Sequence, residues 1–238
     1  QSTNAEALLG VTAKDRQANY SDQIAITSGV YPDKKTHMEI VRYPRKSDAM
    51  ALLATLLVGG GKPWPRTIRF FGNIVHHPIQ FLKTLWPFNW AQRTPIILVM
   101  QTIDSHMRLN FKRRWWRIGR HSMNSSMDRT ATIPSYLPIA NEVAKRMAKK
   151  MDGRPLSILP EVLFNVTSTA HILGGCRMSQ TPEQGVVDFQ GKIHGYDNLY
   201  VVDGSTVPVN LGVNPSLTIA ALAEHIMAAL PRKTVKPL

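Results

Sequence analysis

The chain carries one cysteine, Cys176, among 238 residues. No internal disulfide can form, so nothing in the sequence demands an oxidising compartment. Metal-ligand patterning is equally scarce. There is no CxxC and no HxxxH, and the adjacent His76 and His77 would leave a helix from different faces. Acidic side chains are few: 16 against 29 lysines and arginines, a formal charge of +13. Between Asp48 and Asp104 there is no carboxylate, whereas Lys62, Arg66, Arg69, Lys83 and Arg93 are all basic. Such a surplus draws an anionic partner: nucleic acid, a membrane surface or an acidic protein. A second basic run, Arg108, Lys112, Arg113, Arg114, Arg117 and Arg120, encloses Trp115 and Trp116 without any nucleic-acid-binding signature, so nucleic acid is not expected. No segment reaches about 18 uninterrupted apolar residues, which argues against a spanning helix. Gln1–Gly10 lacks the basic start and apolar run of a signal peptide. The expected location is cytoplasmic, with peripheral contact at a membrane as a further option. The abrupt start without Met suggests a piece of something longer.

What is present is a globular composition, 43% hydrophobic and 19% charged, enough for one large domain or two small ones. Gln23–Ser28 and Met38–Tyr43 alternate as short strands around a turn at Tyr31–Lys35. Ala49–Val58 is a continuous apolar run that reads as a buried helix, ending at Gly59-Gly60-Gly61. Pro65 opens a helix with Ile68, Phe71, Ile74 and Val75 on one face, and Pro78 restarts it with Ile79, Leu82, Leu85 and Trp86. Two readings stay open for this segment: a core helix pair over a sheet, or a basic, tryptophan-bearing lid that touches a membrane and admits an apolar substrate. Pro95–Ile103 is a strong strand, with Arg108–Phe111 and Trp115–Ile118 as hairpin partners and 121–133 as a polar loop. Pro138 opens a helix to about Met151, with Ile139, Val143 and Met147 inward. Gly185–Asp188 and Asn198–Asp203 read as strands, and Pro215 starts an alanine-rich helix.

The chemistry-bearing stretch is Thr169–Ser179, TAHILGGCRMS. His171 there is a catalytic base, a metal ligand beside Cys176, or a hydrogen-bonded core residue. A metal needs three or four ligands in recognisable spacing, and H-x4-C supplies two. Gly174-Gly175 permits close backbone approach to a ligand. Cys176 reads as a small buried residue, and His194 and His225 as structural.

HILGGCRM, together with GVVDFQGKIHGYDNLYVVDGSTVPVNLGVNPSLTIAALAEHIMAAL downstream, closely resembles the C-terminal signature of the glucose–methanol–choline (GMC) flavin oxidoreductases. EALLGVTAKD, ITSGVYPDKKTHMEIVRYP and IILVMQTID are most similar to the family's cholesterol oxidase-like branch. The resemblance implies an α/β (α+β) fold, the C-terminal part of a two-domain flavoprotein: an antiparallel-sheet substrate domain plus the returning segment of the FAD-binding domain. On this reading residues 1–22 end the FAD-binding portion, 23–160 bind substrate, and 161–238 return to the cofactor.

The same resemblance makes His171 the active-site histidine and Asn214 its catalytic neighbour. It places Asp203 and Gly204 near the FAD diphosphate and ribitol, and Pro215 and Ser216 at the isoalloxazine, with Gly174 and Gly175 passing close to the cofactor. The implied reaction removes a hydroxyl proton and sends a hydride from carbon to flavin N5, on a sterol-like or other lipidic alcohol. A GMC enzyme for a small polar alcohol, or a non-catalytic fragment that binds a membrane or partner, are the alternatives. The GxGxxG fingerprint that holds the FAD diphosphate is missing, because Gly59-Gly60-Gly61 follows a helix-like run and lacks the spacing. An N-terminal FAD-binding half is therefore an expected partner. Glu39 matches poorly to the glutamate that sterol oxidases use for double-bond isomerisation.

Overall fold

The computed structural model describes residues 2–3, 5–22, 24–60, 65–103, 105–113, 119–127 and 133–230. Trp115–Ile118, assigned to a strand from sequence, lies outside them. Two compact units emerge, one of residues 5–101 and 134–169, the other of 1–4, 102–133 and 170–238. Ala5–Ala13 pairs inside the sheet of the first unit.

That sheet has six antiparallel strands: β2 (Ala5–Ala13), β3 (Ile26–Asp33), β4 (Thr36–Val41), β5 (Ala54–Leu56), β6 (Ile96–Gln101) and β9 (Gly153–Ile158), in the order β3-β4-β6-β2-β9-β5. β1 (Ser2–Thr3), β7 (Met107–Arg113), β8 (His121–Met127) and β10 (Ile172–Leu173) belong to the other unit. β2 and β6 are buried almost throughout, as strands covered on both faces must be. One face, carrying Leu9, Val11, Ile97 and Val99, meets helix α4 (Pro138–Lys150) through Ala140, Ala144 and Ala148. The methyl-sized stripe lets the helix lie close on the sheet. The inward face is thus centred one residue beyond Ile139, Val143 and Met147, which flank it half-buried.

Several elements depart from their sequence assignment. β3 runs through Pro32, which an exposed edge strand tolerates. The turn shifts to Lys34-Lys35, where the Asp33 carboxylate accepts from the Lys35 amide at 2.8 Å and the Thr36 hydroxyl at 2.9 Å. Ala49–Val58 is no buried helix: Asp48–Leu53 is a 3₁₀ turn and Ala54–Leu56 pairs with β9. Asp48 turns its carboxylate to the amides of Asn89 and Ala91, holding the short helix α3 (Trp90–Arg93). The 95–103 strand pairs with β2 and β4, while β7 pairs with β8, inside the expected polar loop. Gly185–Asp188 and Asn198–Asp203 form isolated bridges only. Asp188 accepts from the amides of Gln190 and Lys192 and closes a tight turn there, too short for a ladder.

Helices α1 (Arg66–His76) and α2 (Pro78–Thr84) begin where the prolines place them. α1 is apolar on more than one face, and packing selects Phe70 and Ile74, which join Val58, Phe81 and Val162. Ile68, Phe71 and Val75 face outward instead, Val75 with 77% of its surface exposed.

Beside this cluster lie two buried charges, Arg66 on α1 and Glu161 on α5 (Leu159–Phe164). Burial drives the Glu161 carboxyl up from 4.5 to about 7, although the Arg66 charge and the Ser168 hydroxyl and amide pull the other way. Burial also lowers Arg66, whose guanidinium donates to the Ser135 carbonyl and lies 5.5 Å from the Tyr136 ring centre. Loss of hydration therefore outweighs the attraction between the charges, as is common for buried pairs.

Because Glu161 binds its proton more tightly when folded, stability falls as pH rises from 4.5 to about 7, by roughly 3 kcal/mol. Glu161→Gln should flatten that stretch of the urea-midpoint profile; an unchanged slope would assign it to other groups. Ala144→Leu should lower the unfolding free energy by about 1–3 kcal/mol through overpacking, and an unchanged midpoint would show that the α4 contact has slack.

Candidate functional site

The sequence-predicted residues from His171 to Ser216 all lie in the second unit. His171 is half-buried and immediately precedes β10, whose Leu173 is fully buried. β10 pairs with β1 through Leu173 opposite Ser2 and Ile172 opposite Thr3. Past β10 the chain turns sharply at Gly174 and Gly175, with φ of 70° and 116°. Two successive residues in this region favour glycine for backbone reasons alone.

That turn lays the histidine segment against the VVDGST segment. The Gly174 amide donates to the Gly204 carbonyl at 3.2 Å, and the Cys176 amide to the Ser205 carbonyl at 3.0 Å. Asp203 fixes the receiving side, its carboxylate accepting from the Ser205 amide at 2.7 Å at the head of a 3₁₀ turn, Gly204–Thr206. Hydrogen bonds from Ser205 hold the Asp203 carboxyl below the usual carboxylate range. A Cβ on Gly204 would stand 3.0 Å from Ile219 and 3.4 Å from Leu173, so this glycine lets α6 (Ser216–Ala229) approach the pair.

Asn214 is held by a second loop. The Asn210 amide group donates to the Ile103 carbonyl at 2.9 Å, and its oxygen accepts from the Gly212 amide at 2.8 Å. Gly212, at φ 66°, passes so close to Thr102 that a Cβ would lie 2.1 Å from the threonine hydroxyl. The loop therefore delivers Asn214, half-buried, directly before the buried Pro215. Pro215 takes the cap position of α6, where its ring offers no hydrogen-bonding group, and its carbonyl accepts from the Ile219 amide at 2.9 Å. Asn214 thus stands one residue ahead of the cap position. The amides of Ser216, Leu217 and Thr218 point out of the helix end, with no acidic residue in that turn. Ser216 is exposed.

Asn210 and Gly212 are positioning residues that no motif in the sequence singled out; their signal is a left-handed glycine next to a side-chain-to-backbone turn. His106 is another. It borders a cleft of about 550 Å³ together with Gly174, Gly175, Arg177 and Glu183. Cys176 is half-buried with a free thiol. The Ser179 hydroxyl donates to the Thr181 carbonyl at 2.7 Å and lies 3.4 Å from His194 Nε2, a local contact that suits the structural role given to His194. Glu39 is buried on β4 with His37 Nδ1 3.6 Å from its carboxylate. Among the described residues no three His, Cys, Asp or Glu side chains gather as metal ligands.

The chain is similar to several known proteins. A cholesterol oxidase of Acinetobacter baumannii is 44% identical over 232 residues, 97% of this chain and 41% of that protein. A cholesterol oxidase of Mycobacterium tuberculosis is 39% identical over 237 residues, 97% of this chain and 40% of that protein. The chain thus spans about two fifths of the length of these relatives. A long-chain-alcohol oxidase of Arabidopsis thaliana is 44% identical over 71 residues, 29% of this chain and 9% of that protein. The crystal structure of pyridoxine 4-oxidase from Mesorbium loti superposes with a TM-score of 0.52 at 17% identity, covering 94% of this chain and 42% of that one, a likeness of fold. The family model for GMC oxidoreductase matches residues 99–223, from the core strand β6 through the histidine and asparagine segments into α6, and the chain belongs to the GMC oxidoreductase family.

Proposed function

We propose that the complete protein is an FAD-dependent oxidoreductase that converts an alcohol to a carbonyl compound, and that its substrate is a sterol-like or other lipidic alcohol. The observation that carries this reading is the meeting of Gly174 and Cys176 with Gly204 and Ser205 beside α6. It gathers the histidine segment, the aspartate-glycine turn and a helix start in one unit. The residues suit a flavin. Gly174 and Gly175 offer bare backbone at a cleft, and α6 presents unpaired amides with no acid to occupy them. A helix start of this kind favours negative charge. Gly174, Gly175, Asp203, Gly204, Asn214, Pro215 and Ser216 would line the cofactor. FAD, when bound, supplies the acceptor for the hydride of the carbinol carbon.

The chain's own residues then handle the proton and the oxygen. His171 accepts the hydroxyl proton, a task for which an imidazole is suited near neutral pH. Asn214 donates to the oxygen as negative charge develops, without carrying charge itself. In this reading the 170–238 segment serves the cofactor and the six-stranded sheet belongs to the substrate domain. The remaining three fifths of the relatives' length corresponds to the part that completes FAD binding.

Peripheral membrane contact belongs to the same reading. Ile68, Phe71 and Val75 of α1, with Ile79 and Leu82 of α2, are exposed in the stretch without carboxylates. Among the described residues no helix is long and apolar enough to cross a membrane. An apolar face with cations around it suits the interface of an anionic bilayer.

The test is the visible spectrum of the full-length protein, followed anaerobically as sterols and simple alcohols are added. Flavin absorbance that bleaches with a sterol or long-chain alcohol supports the reading; a folded protein that carries no flavin makes it a non-catalytic binding protein. His171→Ala should slow bleaching by about 10²–10⁴-fold and Asn214→Ala by about 10²-fold, with flavin content retained. Bleaching at the wild-type rate in His171→Ala would remove the histidine from the chemistry.

A further inference from the structure

A cleft of about 1060 Å³ in the six-stranded unit has no role in the reaction described above. It opens where β2 and β9 meet α2 and α3, and two kinds of side chain share its walls. Lys14, Arg16, Lys83, Arg93 and Arg154 supply five cations, and among the described residues no carboxylate lines it. Ile79, Leu82, Trp86 and Phe88 form an apolar wall, each more than 60% exposed.

The cations are unevenly satisfied. Lys14 is paired with Asp152, outside the lining. Arg93 is fixed in place: its Nε donates to the Asp15 carbonyl at 3.0 Å and a terminal nitrogen to the Ala13 carbonyl, so its guanidinium closes the end of β2. Burial depresses Arg93, and the charges of Arg154 and Arg16 depress it further, with Asp15 opposing. Arg16 and Arg154 thus line the cleft near enough to Arg93 for their charges to act on its guanidinium. An anion seated among them offsets those charges, and arginine is the side chain suited to phosphate.

We propose that this cleft binds the headgroup phosphate of an anionic membrane phospholipid, with the acyl chains lying along the Ile79, Leu82, Trp86 and Phe88 wall. The apolar wall argues for a lipid over a free phosphate, because a soluble anion gains nothing from four exposed apolar side chains. Ile79 and Leu82 of this wall are also exposed residues of α2, so a lipid in the cleft would remain part of the bilayer that the helix touches. Trp86 is the ring type that settles at headgroup depth, and Phe88 suits the apolar face below it. The proposal rests on the membrane contact described above and adds to it a choice of lipid.

Vesicle flotation of the full-length flavoprotein tests it, comparing phosphatidylcholine alone with phosphatidylcholine containing phosphatidylglycerol. Wild type should bind the anionic vesicles about tenfold more tightly, in line with the attraction expected of a few basic residues. Arg16→Gln with Arg154→Gln should lose this preference while keeping phosphatidylcholine binding, flavin content and turnover of a detergent-solubilised alcohol. Lys149→Gln with Lys150→Gln removes equal charge from exposed positions on α4 and should keep the preference. An anionic preference that survives in the arginine variant, or falls equally in the lysine variant, overturns the proposal. Displacement from the vesicles by glycerol phosphate would make the ligand a soluble phosphate and overturn it too. Equal binding to both vesicles defeats the cleft and leaves the membrane reading standing; failure to float with either defeats both. Flavin content and solubilised turnover report separately on the oxidoreductase reading.

Discussion

The backbone contact between Gly174 and Gly204 is the constraint from which the site follows. Two amide-to-carbonyl bonds, Gly174 to Gly204 and Cys176 to Ser205, hold together segments some thirty residues apart. Each demands small residues. Gly174 and Gly175 must turn through left-handed backbone, and Gly204 must admit Ile219 within 3.0 Å of where a side chain would begin. Asp203 adds a carboxylate that ties down its own turn. Once these segments meet, α6 has one place to start, and Asn214 is delivered just ahead of it by a loop locked against Thr102 and Ile103. Glycine thus does structural work here that looks, from the sequence, like cofactor contact; in the proposed function it serves both.

The six-stranded unit obeys a different physics. Its strength lies in apolar strands β2 and β6 and in the alanine stripe of α4, a contact that tolerates little change in volume. That core supports features that oppose stability: a glutamate kept near neutrality by burial beside a buried arginine, and a cleft crowded with cations. Carbonyl groups partly satisfy both sets of arginines, Ser135 for Arg66 and the end of β2 for Arg93. Positive charge is therefore held in fixed positions by the fold, which suits recognition of anions better than a diffuse basic surface would.

Much of this was legible in the sequence. Prolines announced the starts of α1, α2, α4 and α6, since a proline's fixed φ and missing amide fit a helix start and little else. The motif run from His171 to Ser216 carries the family resemblance and lies within the matched residues 99–223. What misled were short apolar runs, where periodicity says little. Ala49–Val58 satisfies a helix and a strand equally, and pairing with β9 decided the matter. α1 carries apolar side chains on more than one face, so sequence could not say that Phe70 would be buried and Phe71 exposed. The positioning residues Asn210 and Gly212 were invisible because their partners, Ile103 and Thr102, are distant in the chain. The cation cleft was hidden for the same reason: Arg16, Arg93 and Arg154 come from three separate stretches.

The central claim is that this chain forms one wall of a flavin site around His171, Asn214 and the start of α6. A crystal structure of the full-length protein with its cofactor tests it most directly. The account predicts the isoalloxazine ring at the first-turn amides of α6, with the His171 and Asn214 side chains within about 3 Å of an alcohol oxygen bound beside it. A flavin bound away from α6, or a His171 ring turned from the bound alcohol, would contradict it.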